Sequence, residues 1–497
     1  MFATIFASCQ TKPIEPEAAA PPNIIVFLVD DMGWQDTSVP FHDKLTLLNQ
    51  TYRTPNMERL AKDGLKFTNA YASAVCSPSR VSLMTGMNAA RHGVTNWTLH
   101  FNRSPDPKRK NITPPDWPVN GIAPTPGTER TVVATCLPQI MSDAGYQTIH
   151  VGKAHFGSIG APGEDPLNLG FDVNVAGHAP GGPGSHWGEK NFSAAWRNGA
   201  RFWDVPGLEQ YHGQDIYLTE ALTLEAIKEL DQSVANEQPF FLYMSHYAIH
   251  APWETDDRFL SNYADEKLSD FQTKYATMIE GMDKSLGDLM DWLDQNNLAE
   301  NTLVIFMTDN GQPKQAPRNL PLRGSKLTPY EGGTRVPMII RWPKVEFSGW
   351  PASIPIMIED LMPTVLGAAQ IQMPENLPQT VDGLNFFPLL GSQNLWSEDP
   401  VGAEHLHQQL TNRDLIWHFP HTYDGPPYSA IRRGDWKLIY WYADDRVELY
   451  NLADDISEIY NLADAYTNKA TELQTALQDR LQERGALLPK INRGTKQ

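Results

Sequence analysis

From Asn23 to Val29 the chain reads Ile-Ile-Val-Phe-Leu-Val after one polar residue, the pattern of a strand buried on both faces. Shorter runs of the same kind stand at Thr148–Val151, Pro239–Met244 and Leu303–Thr308. Between them apolar residues recur at helical spacing over Pro138–Ala144, Asp215–Gln232 and Phe271–Gln295. The last of these places Met278, Met282, Leu286, Leu289 and Met290 on one face. Strands alternating with helices predict an α/β fold, a mainly parallel sheet flanked by helices. Beyond about residue 390 the texture changes. Tyr428–Arg433, Trp436–Tyr442 and Glu448–Asn451 predict short antiparallel strands, with Gly434-Asp435 and Asp444-Asp445 at the turns. Tyr466–Arg484 predicts an amphipathic helix. The expected organisation is a leader and tether over 1–22, an α/β domain over 23–390, and a smaller α+β subdomain over 391–497.

In an open α/β sheet, ligands bind beyond the carboxyl ends of the strands. Here those ends carry distinctive polar residues. The first strand runs into Asp30-Asp31 and the second into Lys153-Ala154-His155. The third leads to His246 and His250, and the fourth to Asp309-Asn310. Asp30, Asp31, Asp309 and Asn310 offer only oxygen, the donor set of a hard cation such as Ca²⁺ or Mg²⁺. Taken alone, an Asp-Asp after a strand is an ordinary turn or helix cap, and Asp-Asn-Gly an ordinary turn. Their placement at equivalent strand ends sets them apart. Cys76 precedes a helix expected to start near Ser79. A helix N-terminus favours anionic groups, and the fork of Arg80 suits a tetrahedral oxyanion. Long loops rich in Pro, Gly, Trp and His, over 101–130 and 156–210, are expected on the rim.

Charge narrows the choice. A formal net charge of −19 argues against nucleic acid as a partner, which would need a basic face, and an anionic substrate requires a locally positive pocket. Only three cysteines are present, Cys9, Cys76 and Cys136, too few for a disulfide framework. Phe6-Ala7-Ser8-Cys9 resembles a bacterial lipoprotein box, and the Pro-, Ala- and Glu-rich segment after it reads as a tether. The expectation is membrane attachment through lipid on Cys9, in the bacterial periplasm or at the outer membrane. Fourteen tryptophans are compatible with core packing and with a sugar-binding cleft.

The stretch Cys76-Ser-Pro-Ser-Arg80, followed by Thr85-Gly86, is the signature of type I, formylglycine-dependent sulfatases, and the chain resembles that family from Asn23 to about Leu462. Further matching segments are Gly152-Lys-Ala-His155, His250-Ala-Pro252, Thr308-Asp-Asn-Gly311, Gly324-Ser-Lys326, Tyr330–Pro337, Asp382-Gly383 and Arg433–Leu438. Within the family the chain is most similar to bacterial polysaccharide sulfatases. The resemblance implies an alkaline-phosphatase-like fold. It also implies that a maturation enzyme converts Cys76 to formylglycine (3-oxoalanine), and that Asp30, Asp31, Asp309 and Asn310, with the modified Cys76, hold Ca²⁺ or Mg²⁺. Arg80 and Lys153 would steady the nucleophile and offset its charge. His155 would be the base that releases sulfate, while His250 and Lys326 would bind sulfate oxygens and protonate the leaving group. The implied substrate is a sulfated polysaccharide or oligosaccharide, such as ulvan or carrageenan. Candidate sugar contacts in the rim loops and near the C-terminal strands are His178, His186, Trp187, Trp203, His421 and Tyr423. Two alternatives stand beside this reading: a phosphatase or phosphonate hydrolase of the same superfamily, and an inactive glycan-binding lipoprotein.

Overall fold

The structure, a computed structural model, describes residues 20–343, 351–390 and 399–492. The lipoprotein-like box at Cys9 and most of the tether lie outside the described residues. The principal strands are β1 (Asn23–Val29), β2 (Leu65–Tyr71), β3 (Gln147–Gly152), β4 (Val173–Val175), β5 (Phe240–Ser245), β6 (Thr302–Thr308) and β7 (Arg335–Arg341), with two-residue strands β8 (Pro351–Ala352) and β9 (Ile356–Met357). They form one sheet in the order β8-β2-β7-β6-β1-β5-β3-β4, with β9 also beside β2.

Every pairing in this sheet is parallel except the two made by β7, which runs against both β2 and β6. The sheet is therefore mixed, with one reversed strand. The hydrophobic pattern misses β7 because Pro337 interrupts it, and proline cannot donate to a ladder. The sheet absorbs Pro337 at a register shift between Val336 and Met338, where β7 meets β2. It also misses β2, where Lys66, Thr68 and Asn69 interrupt the apolar run and are only half-buried.

Alternation along β1 and β6 feeds two cores. Ile24, Val26, Leu28, Leu303, Ile305 and Met307 face helices α1 (Cys76–Thr85) and α2 (Leu137–Asp143). Ile25, Phe27, Val29, Val304 and Phe306 face α3 (Leu218–Ala235) and α4 (Asp270–Gln295). Burial on both faces explains why these strands read as continuous apolar runs.

The C-terminal unit is a four-stranded antiparallel sheet, β10 (Asp414–Phe419), β11 (Tyr428–Arg433), β12 (Trp436–Trp441) and β13 (Arg446–Asn451). Helix α5 (Thr467–Glu483) covers one face through Leu473 and Leu477. The other face sets Trp417 and Tyr450 against Tyr71, Val75 and Met357 of the large sheet's domain. This unit therefore packs directly behind the start of α1. Trp417 Nε1 donates to Ala72 O at 3.0 Å, and Lys437 reaches Glu331 at 2.8 Å, both groups fully buried.

Candidate active site

Register brings the strand ends level. Val29 pairs with Thr308, Leu28 with Ser245, and Gly152 with Ser245. The residues just beyond them, Asp30, Asp31, Lys153, His246 and Asp309, accordingly emerge along one sheet edge. His246 then turns into the core, where its Nε2 meets Ser285 Oγ at 2.9 Å. Asp31 and His155 both hold left-handed backbone conformations, with φ of 63° and 58°. Such non-glycine conformations persist where the surroundings impose them, and they gather at functional sites.

Helix α1 begins at Cys76, three residues before Ser79, because a proline in the first turn costs no intrahelical hydrogen bond. All ten of its residues are buried. Its N-cap, Val75, makes no side-chain capping bond, so the N-terminal turn is left facing the strand ends.

One ligand atom from each of Asp30, Asp31, Cys76 and Asp309 lies within 4.8 Å of the others. Asn310 completes an oxygen-rich set. Its Nδ2 donates to Asp31 Oδ1 at 2.7 Å and to Gly311 O at 2.9 Å, while its buried Oδ1 has no partner. A fixed amide oxygen left free beside crowded carboxylates fits a hard cation. Burial pushes Asp30 up to about 7, with Lys153 opposing and the Asp309 and Asp31 charges adding to the rise. A divalent cation relieves that crowding.

Three cations brace the carboxylates. Lys153 Nζ reaches Asp30 Oδ2 at 2.5 Å, Lys326 Nζ reaches Asp31 Oδ1 at 2.5 Å, and Arg80 Nε reaches Asp309 Oδ2 at 2.9 Å. Arg80 is also fixed to Lys153 O and to Ser245 Oγ. For Asp31, burial favours the neutral acid, but Lys326 and His250 outweigh it and hold the carboxyl below the usual range. Lys326 Nζ also lies 3.2 Å from Cys76 Sγ. Burial pushes the Cys76 thiol up to about 12 despite Lys153 and Lys326, so an unmodified thiol here stays protonated.

The two site histidines are held from one side. His155 Nε2 donates to Thr98 O at 2.9 Å, which leaves Nδ1 as the lone-pair nitrogen, buried and unpartnered. Burial, with Lys153 and Arg80 nearby, holds His155 neutral. His250 Nδ1 donates to Ala251 O at 2.9 Å, and its Nε2 stands 3.8 Å from Asp31 Oδ2. Gly181 and Gly182 pack against these rings. A Cβ on Gly181 would fall 2.3 Å from His155 Cε1, and one on Gly182 would fall 2.8 Å from His250 Nδ1. The Gly-Gly pair is plain in the sequence, but nothing there says which rings it admits.

An open cleft of about 720 Å³ rises from this floor of Cys76, His155, His250 and Lys326. Trp97, Trp203, Trp253 and Tyr423 form aromatic walls, and a Lys314–Asp424 ion pair of 2.8 Å closes part of the rim. Of the six candidate sugar contacts, Trp203 and Tyr423 line the cleft. The other four do not line it, which corrects that expectation. His178 Nδ1 bonds Tyr247 Oη at 2.9 Å. His186 is fully buried, donates from Nε2 to His250 O at 3.1 Å and stacks on Tyr217, while Trp187 meets the same ring edge-on. His421 is enclosed between Thr95 and Asp106. Long loops need internal partners for their buried polar groups, and these histidines supply them. Trp97, Trp253 and Lys314 reach the cleft from segments where pattern alone gives no direction.

Comparison with known proteins agrees with this geometry. A family model described as Sulfatase matches residues 22–371, and one described as N-sulphoglucosamine sulphohydrolase, C-terminal, matches 325–486. A sulfatase of Formosa agariphila is 29% identical, over 91% of this chain and 86% of its own. The human N-acetylgalactosamine-6-sulfatase is 32% identical, over 85% of this chain and 72% of its own. The solved structure of Ps i-CgsB in complex with k-i-k-neocarrahexaose superposes with a TM-score of 0.72 at 27% identity, covering 93% of both chains.

Proposed function

The chain belongs to the sulfatase family and hydrolyses sulfate esters of carbohydrates, and from that premise we propose that its substrate is a sulfated galactose-type unit of a polysaccharide or oligosaccharide. Similarity to an enzyme solved with a carrageenan oligosaccharide and to an N-acetylgalactosamine-6-sulfatase supports a galactose configuration, and so a carrageenan-like substrate over ulvan. The observation that carries the sulfate-ester chemistry is the position of Cys76. It lies at the floor of an aromatic cleft, with Lys326 at 3.2 Å and Asp30 at 3.5 Å.

In this reading a maturation enzyme converts Cys76 to formylglycine, whose hydrated aldehyde supplies both the attacking hydroxyl and a second hydroxyl that lets sulfate leave by elimination. Asp30, Asp31, Asp309 and Asn310, with residue 76, would hold Ca²⁺ or Mg²⁺, which supplies positive charge to the nucleophile and the sulfate oxygens. The protein's own groups do the rest. Arg80, locked by Asp309 and Ser245, contributes a charge that needs no reorganisation. Lys153 acts through Asp30. Lys326, which bridges Asp31 and residue 76, and His250, which opens onto the cleft, bind sulfate oxygens and deliver a proton to the departing sugar oxygen. His155 Nδ1 takes the proton whose removal frees sulfate. Trp203 and Tyr423 offer faces to the sugar rings.

A single acidic cluster with Cys76 is found among the described residues, which supports sulfate over the two-metal chemistry common in the related phosphatases. The test is a desulfation screen with carrageenan, ulvan and glycosaminoglycan oligosaccharides, read by chromatography beside matched phosphate esters. Release of sulfate from galactose-type units is expected, and faster release of phosphate contradicts the reading. The box at Cys9 supports a lipid-anchored enzyme of the periplasm or outer membrane. Fatty-acid labelling that survives Cys9→Ala contradicts attachment through Cys9, and an unlabelled parent contradicts the lipid anchor.

A further inference from the structure

The loop that forms one wall of the cleft carries charge against the trend of the whole protein. Pro105 and Pro107 line the cleft, and the next three residues are Lys108, Arg109 and Lys110. All three are exposed, and none has an ion-pair or hydrogen-bond partner for its side chain among the described residues. Arg103, also exposed and unpaired, precedes the wall. In a chain of net charge −19, a run of unpaired cations is not needed for solubility.

The run is also held in place at both ends. On one side Asp106 receives His421 Nδ1–H at 2.7 Å and the Thr422 amide at 2.9 Å, and Thr422 Oγ1 donates to Pro107 O at 3.0 Å. These bonds tie the loop to the segment that carries Tyr423 and Asp424, which also line the cleft. On the other side Ile112–Thr113 pair with Lys490–Ile491, and the Asn492 amide donates to Asn111 O. The loop's own acid, Asp106, is consumed by the anchor, so it does not neutralise the cations. Lys490, on the paired strand, adds another exposed charge.

We propose that Lys108, Arg109 and Lys110, with Lys490 on the neighbouring strand, form a second binding surface that grips the anionic glycan chain as it leaves the cleft. The inference rests on the proposed carbohydrate-sulfate reading. It adds that the substrate is a chain with further sulfates or carboxylates beyond the scissile unit. Fixed cations at the rim raise the local concentration of a polyanion and do little for a small monoanion. Their effect fades as salt screens it.

The experiment uses the full chain, matured, and the variant Lys108→Ser/Arg109→Ser/Lys110→Ser. Two substrates are compared, a carrageenan polymer and a small aryl sulfate, at low and high salt. The variant is expected to lose about ten-fold in kcat/KM on the polymer at low salt, to lose most of the salt dependence, and to match the parent on the aryl sulfate. Affinity electrophoresis through a carrageenan gel reads the surface without turnover, and retardation of the parent but not the variant is expected. Equal migration with equal polymer turnover overturns the inference. So does a variant that loses adsorption to anionic lipid vesicles while handling the polymer as the parent does, because the patch then faces a membrane. Failure of the underlying reading has a different signature, no sulfate released from either substrate by the parent.

Discussion

Lys326 Nζ lies 3.2 Å from Cys76 Sγ and 2.5 Å from Asp31 Oδ1, so one ammonium group joins residue 76 to the carboxylate cluster. It comes from the loop before β7, whereas Cys76 opens α1 and Asp31 follows β1. In the proposed mechanism, removing it takes positive charge from the point where charge develops on sulfate. Lys326→Ala is expected to lower kcat about 10²–10³-fold while the circular dichroism spectrum stays unchanged. A loss under tenfold in steady-state assays contradicts this role.

Gly181 sets the position of His155. A methyl group there would collide with the imidazole and displace the Nδ1 lone pair. Because His155 is assigned to the release of sulfate and not to the first attack, Gly181→Ala is expected to spare the initial burst of leaving group and slow the turnovers after it, about hundredfold. His155→Ala is expected to show the same pattern. Stopped-flow kinetics with a chromogenic sulfate separates the two phases, and loss of the burst itself counts against the assignment.

The free Oδ1 of Asn310 gives the proposed calcium site a measurable consequence. Ca²⁺ bound by the native state alone raises the melting temperature by mass action. Asn310→Ala is expected to weaken Ca²⁺ binding about tenfold or more. Differential scanning fluorimetry across a Ca²⁺ titration reports both effects, and an unchanged midpoint in the variant excludes Asn310 as a ligand.

The contact between the two sheets has its own pH signature. Burial works against the charge of Glu331, but Lys437, Arg335 and Arg432 outweigh it and hold the carboxyl down to about 2, from an ordinary 4.5. A depressed carboxylate stabilises the fold above its unfolded value, and that contribution is lost as pH falls through the folded one. Glu331→Gln removes it, so the gap in melting temperature between parent and variant is expected to be full above pH 4.5 and to narrow towards pH 2. A gap that widens on acidification contradicts the pairing.

The strands whose two faces are buried could be read directly. Asn23–Val29 has the bounds its pattern predicts, and β3, β5 and β6 differ from theirs by one residue at one or both ends. Strand ends then placed Asp30, Asp31, Lys153 and Asp309 together, because parallel register leaves little freedom there. β7 was hidden by Pro337, and β10 belongs to an antiparallel sheet where burial depends on a partner far along the chain. The rim histidines were the least legible. His186 and His421 have the residue type of ligands, but the loops fold them inward as cross-links, a choice fixed by tertiary contacts such as Asp106. Trp97 and Trp253 were invisible for the complementary reason: an aromatic in an irregular segment gives no period from which to infer its direction.

Mass spectrometry of the peptide carrying residue 76, on protein made with and without a maturation enzyme and assayed in parallel for sulfate release, tests most directly whether chemistry begins at this position. The expected result is an aldehyde at residue 76, trapped as a hydrazone, in proportion to activity. Full activity from protein in which residue 76 remains a thiol contradicts it.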